Sequence, residues 1–227
     1  VGSEMCIRDS SDVGLIVLGK LVEKVSGKPL DLYVDSLLFD PLGMNSSYFN
    51  PPKHKLKRVV PTEISAITNE VILGYVHDEN AFSIGGVAGH AGLFSTAMDI
   101  AKFSQMMLNN GLYGWKRFFK PETVNLFTMK ANIVKESSRA LGWDTPAGKS
   151  SGGVYLSDSS FGHTGFTGTS LWIDPDNNLF VILFTNAVHP KREYKNPKYF
   201  DWRQRIHSSV YELLKLNSVN PCLLYTS

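Results

Sequence analysis

FGHTGFTGTSLWIDPDNNLFVILFT, residues 161–185, is the stretch that decides the fold. Residues 161–173 are rich in Thr, Phe, Trp and Gly, and residues 179–185 form a continuous apolar run. Between them stands a strong turn signal, Asp174-Pro175-Asp176-Asn177-Asn178. The pattern predicts a β-hairpin made of two buried strands.

Helical patterns stand on both sides of this hairpin. Gly27 ends the first, a capping box from Thr96 to Asp99 opens the third, and Pro121 opens the fourth. The predicted helices cover residues 13–25, 30–39, 97–109, 121–127 and 202–216. Residues 45–70 are rich in Pro, Asn, Ser and Lys and predict a long excursion over the surface. This order predicts an α+β fold in which helices flank an antiparallel sheet.

The composition excludes several classes of protein. The 227 residues are 43% hydrophobic and 19% charged, which is typical of a globular protein rather than a disordered one. The net charge of +2 is too small to predict nucleic acid as a partner. No apolar run approaches the ~18–20 residues of a membrane-spanning helix, and no signal peptide is visible.

Both ends of the chain match translated adapter DNA. The string ATGTGTATAAGAGACAG encodes Met5-Cys6-Ile7-Arg8-Asp9, and its reverse complement, read one base in, encodes Cys222-Leu223-Leu224-Tyr225-Thr226. We therefore assign residues 1–10 and 222–227 to adapter sequence, and both cysteines with them. Residues 11–221 are then one domain that lacks its N-terminal part. Its helical region is expected at about 11–130, and its sheet and terminal helix at about 150–216.

Three glycines recur every third residue where the first predicted strand of the hairpin should run. They are Gly162, Gly165 and Gly168, interleaved with His163 and several threonines. Glycine weakens a strand, and it often marks a place where a ligand or another backbone segment approaches closely. The segment is therefore the first candidate for a functional site.

At this point the chain resembles the serine hydrolases of the β-lactamase and penicillin-binding-protein superfamily. His163-Thr164-Gly165 resembles their Lys-Thr-Gly box, and Ser11-Asp12-Val13-Gly14 resembles the end of a Tyr-x-Asn-type box. The hairpin and two further segments resemble β-lactamase-related hydrolases in particular: Gly74-Tyr75-Val76-His77-Asp78-Glu79-Asn80 and Gly85-Gly86-Val87-Ala88-Gly89-His90-Ala91-Gly92-Leu93-Phe94-Ser95. The resemblance covers about residues 11–216 and implies a β-lactamase/transpeptidase-like fold.

The resemblance also implies a mechanism without cofactor or metal. In that family the serine of a Ser-x-x-Lys motif attacks a carbonyl, and an acyl-enzyme forms and is hydrolysed. By resemblance, Asp12 and His163 are catalytic, and the backbone N–H of Phe166 is one donor of the oxyanion hole. The substrate would be an ester, an amide, a β-lactam or a peptidoglycan-derived peptide, and the location extracytoplasmic. The implied substrate-binding residues are Ser11, Thr164, Gly165 and Phe166.

The family's three boxes, in chain order, are Ser-x-x-Lys, the Tyr-x-Asn-type box and Lys-Thr-Gly. The chain departs from this pattern at the nucleophile and in the second box. The Ser-x-x-Lys motif is expected upstream of Ser11, so we expect this 227-residue chain to be inactive. Two alignments of the second box remain open. In one, the family's Tyr falls where Ser10 stands and Asp12 replaces the usual Asn. In the other, Ser11-Asp12-Val13 is a Ser-Asp-Asn-type box with a catalytic serine; the helix that follows favours the first.

The third box carries His163 where the family has lysine. A lysine is a fixed cation, whereas an unperturbed histidine is mostly neutral at pH 7. Attraction for a substrate carboxylate should therefore be weaker and pH-dependent. This change argues against a dedicated β-lactamase and leaves room for esters and other acyl substrates.

The glycine-rich segment 86–92 and its neighbours have two rival interpretations. A nucleotide-binding loop would need a different glycine spacing. A metal site built from His77, Asp78, Glu79 and His90 would lack the His-x-x-x-His spacing, so we predict no metal. We expect the glycines to let this loop pack tightly, and His77 and His90 to make structural hydrogen bonds. The role of Trp143 stays open.

A second class of function fits the same residues. A catalytically inactive penicillin-recognising domain could serve as a binding or accessory module beside sugar-cleaving enzymes of cell-wall recycling. An upstream Ser-x-x-Lys distinguishes the two functions, since only the enzyme needs it. The sequence leaves the oligomeric state open.

Overall fold

The computed structural model describes residues 12–66, 68–132, 137–147, 150–195 and 197–217. They form two compact units. The first unit contains the residues up to Lys102 together with Val188–Tyr194, and the second contains Phe103–Ala187 and the residues from Lys195 onward. Within the described part, no helix combines the length and apolar character that crossing a membrane requires.

Helices and short strands alternate along the chain. The helices are α1 (Asp12–Ser26), α2 (Leu30–Val34), α3 (Asp40–Leu42), α4 (Glu79–Ser83), α5 (Ala97–Leu108), α6 (Pro121–Thr128) and α7 (Pro197–Leu213). One π-helical turn, Asp35–Phe39, joins α2 to α3, and 3₁₀ turns cover Lys53–Arg58 and Arg192–Tyr194. The strands are β1 (Tyr48–Phe49), β2 (Leu93–Phe94), β3 (Leu112–Tyr113), β4 (Lys116–Arg117), β5 (Phe161–Thr164), β6 (Ser170–Asp174) and β7 (Leu179–Leu183). The predicted α+β class is confirmed, and a helix is found at each predicted place. The second is α-helical only to Val34, and the last runs over Pro197–Leu213 rather than 202–216.

Helix α1 of the first unit packs through a glycine. A Cβ on Gly89 would lie 2.2 Å from the carbonyl oxygen of Leu15, and a Cβ on Gly19 would lie 3.1 Å from the nitrogen of Gly89. Only glycine permits so close an approach between loop and helix. The expectation that the glycine-rich loop packs tightly is therefore confirmed. Gly19 is also the buried residue of α1, whose apolar side chains are largely exposed, including Val13, Val17, Leu18, Leu21 and Val25.

A network of charged residues joins the segment Val188–Tyr194 to the rest of the first unit. Arg192 donates from Nε to Glu63 Oε2 at 2.9 Å and from Nη2 to Glu79 Oε1 at 2.9 Å. His77 Nε2 lies 3.0 Å from the same Glu63 carboxylate. Glu63 is buried, so the guanidinium and imidazole supply the partners that a buried carboxylate needs. This confirms a structural hydrogen bond at His77, and burial lowers the pKa of its imidazole despite the nearby Glu63.

The sheet of the second unit has the order β5-β6-β7, and both pairs are antiparallel. Phe161 pairs with Ile173, and Thr164 pairs with Ser170. Residues 161–173, predicted as one strand of a hairpin, therefore form two strands with a turn between them. The predicted hairpin around 174–178 is confirmed, since β6 and β7 pair there. Its second strand, however, is half-buried along its length rather than buried.

Asp174 organises that hairpin turn from a buried position. Its carboxylate accepts hydrogen bonds from Asn177 Nδ2 at 2.9 Å, from Tyr211 Oη at 2.8 Å and from the Ser157 hydroxyl. Burial alone would raise the pKa of Asp174, but these hydrogen bonds outweigh it and hold the pKa below its ordinary value. The same Tyr211, on α7, packs with Leu156 and Trp172 in a core cluster beneath the sheet.

His207 lies on α7 with no exposed surface, and its Nε2 is 2.9 Å from the Ser170 hydroxyl of β6. Burial, with a smaller contribution from Arg203, lowers its pKa to about 4. The unfolded chain takes up this proton below about pH 6.5, whereas the folded protein does not until about pH 4. We expect the free energy of unfolding to fall by up to about 3 kcal/mol as the pH drops through that window.

Urea unfolding at several pH values between 7 and 4 measures this loss. His207→Gln should flatten the dependence, leaving the smaller contribution of His77, whose pKa is lowered in the same direction. His54→Gln, at an exposed position, is the matched control and should keep the wild-type slope. Equal slopes in wild type and His207→Gln would contradict the prediction.

Candidate active site

The candidate site of the second unit is the turn that joins β5 to β6. Gly168 donates from its N–H to the Gly165 carbonyl at 3.1 Å, and Gly165 donates to the Thr169 carbonyl at 2.8 Å. Phe166 and Thr167 occupy the two central positions of this β-turn. The side chain of Phe166 is 55% exposed. The turn therefore follows directly on His163 and Thr164 and presents Phe166 to solvent.

The direction of the Phe166 N–H follows from the turn. Its amide group shares a plane with the Gly165 carbonyl, and in a trans peptide the two point in opposite directions. Because the Gly165 carbonyl points into the turn to accept from Gly168, the Phe166 N–H points out of it. A fixed, outward N–H is the kind of donor that stabilises an oxyanion.

The three glycines of this segment are required by neighbours within the unit. A Cβ on Gly162 would lie 2.4 Å from the Leu171 carbonyl and 2.5 Å from the Trp172 ring. A Cβ on Gly165 would lie 2.2 Å from Thr169 Oγ1, and Gly168 has a φ of +117°. The spacing of these glycines predicts close approach of a ligand or of another backbone segment. At Gly165, the contact with Thr169 is enough to exclude a side chain.

His163 is held by a bond on each ring nitrogen. Its Nδ1 lies 2.9 Å from the Thr164 carbonyl oxygen, and Nη1 of Arg139 lies 3.4 Å from its Nε2. A carbonyl can only accept, so Nδ1 carries a proton and donates it. Nε2 faces a guanidinium that can only donate, so Nε2 is the acceptor in this arrangement.

Arg139 places a permanent positive charge beside the third box. It is held there by Asp144, whose carboxylate lies 2.5 Å from Arg139 Nη1. Asp144 is fixed in turn by paired backbone hydrogen bonds to Gly162 of β5, at 2.8 and 2.9 Å. Among the described residues, the side-chain contacts of Arg139 with His163 and Asp144 both go through Nη1. The remaining donors of the guanidinium fork leave it able to bind an anion.

Trp143 supports the segment that carries Arg139 and Asp144. Its ring meets Phe161 of β5 edge to face at 5.2 Å between centroids, and it stacks on Phe103 at 6.3 Å. Such aromatic contacts bury apolar surface and fix orientation. Trp143, whose role the sequence left open, therefore packs its loop against the sheet within the second unit.

In the first unit, Asp12 lies close to the glycine-rich loop. It is the first residue of α1 and is exposed, whereas His90 is largely buried and bonds Asp78 at 2.9 Å between Nε2 and Oδ1. This contact confirms the structural hydrogen bond predicted for His90. The other predicted residue of the second box, Ser11, lies outside the described residues.

Asp12, Asp78 and His90 are also the group that most resembles a metal site among the described residues. Their candidate ligand atoms lie within 4.8 Å of one another. However, Asp78 Oδ1 already accepts from His90 and from the Ala81 N–H at 2.8 Å, where it caps α4. The helix cap and the buried histidine account for both inner residues without an ion.

Sequence reasoning identified His163, Thr164, Gly165 and Phe166 as one group, and the structure places them together at the end of β5. It missed Arg139, which stands 24 residues before His163 in a segment with no recognisable motif. No local signal could have found it, because only the folded sheet brings Asp144 beside Gly162.

Comparisons with known proteins find relatives that match most of this chain. A putative D-alanyl-D-alanine carboxypeptidase of Escherichia coli K12 is 39% identical over 210 residues, covering 84% of this chain and 48% of that protein. An N-acetylmuramyl-L-alanine amidase of Bacillus subtilis is 39% identical over 231 residues, covering 90% of this chain and 52% of that protein. The chain therefore spans about half the length of these curated relatives.

The fold is shared with solved structures, and the sequence matches a family profile. A β-lactamase from Mycobacterium bovis superposes with a TM-score of 0.62 at 17% identity, over 93% of this chain and 65% of its own. The sequence profile of the β-lactamase family matches residues 7–204, beginning inside the predicted adapter segment. This chain belongs to the β-lactamase family.

Proposed function

We propose that the complete protein is a serine hydrolase that works through an acyl-enzyme on a peptidoglycan-derived peptide with a free carboxylate. Esters, other amides and β-lactams are further substrates of the same chemistry. His163, Thr164, Gly165 and Phe166 form the substrate-binding edge, and Phe166 donates its N–H to the oxyanion. Asp12 and Ser11 belong to the second box, with Asp12 at the position of the family's Asn.

Recognition of a substrate carboxylate is proposed from one observation, the position of Arg139 beside His163. The sequence alone predicted weak attraction for an anion, because histidine replaces the lysine of the third box. The guanidinium of Arg139 restores a positive charge beside this box. Asp144 partly offsets that charge, but it also fixes the orientation of the guanidinium.

The names of the relatives support the substrate class. A D-alanyl-D-alanine carboxypeptidase and an N-acetylmuramyl-L-alanine amidase both bear names of enzymes that cleave amide bonds of peptidoglycan. Carboxypeptidase substrates end in a carboxylate by definition. We extend this substrate class, and with it an extracytoplasmic location, to the complete protein as part of the proposal.

Arg139→Met in the complete protein should remove discrimination between a peptide with a C-terminal carboxylate and the same peptide as its C-terminal amide. We expect wild type to prefer the acid by about 10–100-fold in kcat/KM, as one charge-assisted contact of about 1.5–3 kcal/mol implies. Release of the terminal D-amino acid, or of its amide, measures both rates. The variant should lower kcat/KM for the acid and leave the amide nearly unchanged.

Arg117→Met is the matched control, because Arg117 is an exposed arginine of the same unit that bonds only backbone carbonyls among the described residues. It should keep the wild-type preference. If the wild-type protein cleaves acid and amide equally, the proposed carboxylate subsite is contradicted. If it cleaves neither, the proposed hydrolase activity is contradicted.

A further inference from the structure

Every backbone carbonyl of the turn that follows the third box accepts a hydrogen bond. Within the turn, Gly165 accepts from Gly168, and Thr169 accepts from Gly165. The three carbonyls between them are bonded by residues that come after β7. Thr167 accepts from the Ala187 N–H at 2.8 Å, and Gly168 accepts from two hydroxyls, those of Thr185 and Tyr199, at 2.5 Å each.

The Phe166 carbonyl accepts from a charged group. Lys195 Nζ donates to it at 2.7 Å. The ammonium also lies 4.7 Å from the centroid of the Phe166 ring and 5.7 Å from that of Phe200 on α7. A lysine head placed over two aromatic faces is attracted by both rings and loses much of its rotational freedom. The charge is therefore fixed at the residue that carries the outward N–H.

We propose that Lys195 is a positioning residue for the oxyanion donor: it holds the Phe166 carbonyl, and so orients the turn in which the Phe166 N–H points outward. This inference rests on the proposed function. Peptide planarity links the two ends, because fixing the carbonyls on both sides of Phe166 leaves its N–H little freedom to rotate. The fixed ammonium also contributes a positive potential where negative charge develops in the transition state.

The surroundings of Lys195 favour this role over direct contact with substrate. Its ammonium donates to the Phe166 carbonyl and lies near the rings of Phe166 and Phe200. Burial lowers the pKa of Lys195, with a further contribution from Arg203, whose guanidinium stacks near Phe200 at 5.4 Å. A second cation this close is tolerated where the aromatic faces and the carbonyl compensate both charges.

The test compares Lys195→Met with Lys195→Arg in the complete protein. We expect Lys195→Met to lower kcat by about 10–100-fold, the range for a reacting group displaced by about 1 Å. KM should stay within about threefold of wild type, and the loss should be the same for a neutral phenyl ester and a carboxylate-bearing peptide. Lys195→Arg should recover most of kcat, since it retains a charged donor.

Lys198→Met is the matched control, an exposed lysine in the first turn of α7, three residues after Lys195. It should leave kcat and KM unchanged. Amide hydrogen exchange of residues 165–169 gives a second measurement that does not depend on turnover, and it should accelerate in Lys195→Met only.

Three outcomes would overturn the inference. The first is an unchanged kcat with unchanged exchange in the turn. The second is a lower melting temperature with wild-type kcat, which would make Lys195 merely structural. The third is a rise in KM confined to the carboxylate substrate, which would make Lys195 a substrate ligand. If wild type hydrolyses neither substrate, the proposed function fails, while the exchange measurement still decides whether Lys195 holds the turn.

Discussion

Phe166→Pro in the complete protein is expected to lower kcat by about 10²–10³-fold, the usual effect of deleting one oxyanion donor. The substitution removes the backbone N–H and, with it, the phenyl ring that contacts Lys195. Phe166 is the second residue of the Gly165–Gly168 turn, a position that proline favours, and it follows a glycine, which tolerates a proline after it. The carbonyl that accepts from Lys195 is retained.

Phe166→Ala distinguishes the effect of losing the phenyl ring from the effect of losing the backbone N–H. It keeps the donor and loses the exposed phenyl, so kcat should fall by less than about tenfold, reflecting only the weakened contact with Lys195. Rates with an activated ester and with a peptide measure both variants, and circular dichroism checks that the fold is unchanged. Equal losses in the proline and alanine variants would mean that the ring matters and the N–H does not.

The sequence predicted the helices better than the strands, for a physical reason. A helix face repeats its apolar residues locally, and caps such as Thr96 mark the ends. The β5–β6 turn has no comparable signal, because its glycines also fit a kinked strand. Its existence depends on Gly168, which adopts a positive φ beside Thr185 and Ala187, residues that only the folded sheet brings near.

The capping box at the start of α5 also shows that local sequence predicts local contacts but not tertiary ones. The Asp99 N–H donates to Thr96 Oγ1 at 3.3 Å, as the motif predicts. The Asp99 carboxylate, however, accepts from the Ser46 N–H at 2.7 Å and from Ser47 Oγ at 3.0 Å. A buried carboxylate is bound by the strongest donors available, and tertiary contacts supply them.

The residues of the candidate site also fall into two groups, those that local sequence could predict and those that depend on tertiary contacts. His163 and Phe166 could be assigned from a three-residue box, because consecutive residues of a strand keep a fixed geometry. Arg139 and Lys195 stand 24 and 29 residues from their partners His163 and Phe166 and carry no motif. Each contacts that partner through a long-range hydrogen bond, which no local pattern encodes. These two residues account for most of the charge now assigned to the site.

The 227-residue chain by itself is expected to show no labelling by a fluorophosphonate or a fluorescent penicillin, whereas the complete protein is labelled at one serine. The proposed mechanism needs a Ser-x-x-Lys serine, which we place upstream of Ser11. On α1, Val17, Leu21 and Val25 are 60%, 52% and 80% exposed and form an apolar stripe on which another segment can pack.

Two controls test this expectation. Replacing the upstream serine by alanine in the complete protein should abolish labelling, and the complete protein should melt cooperatively while the 227-residue chain does not. Labelling of the 227-residue chain together with a cooperative melt would place the nucleophile within these residues, with Ser11 of the alternative second box as the first candidate. A complete protein that has no Ser-x-x-Lys and takes no label would instead be a penicillin-recognising accessory domain. In that case the donors at Phe166 and Arg139 would bind a ligand without activating it, because no nucleophile would be present to attack.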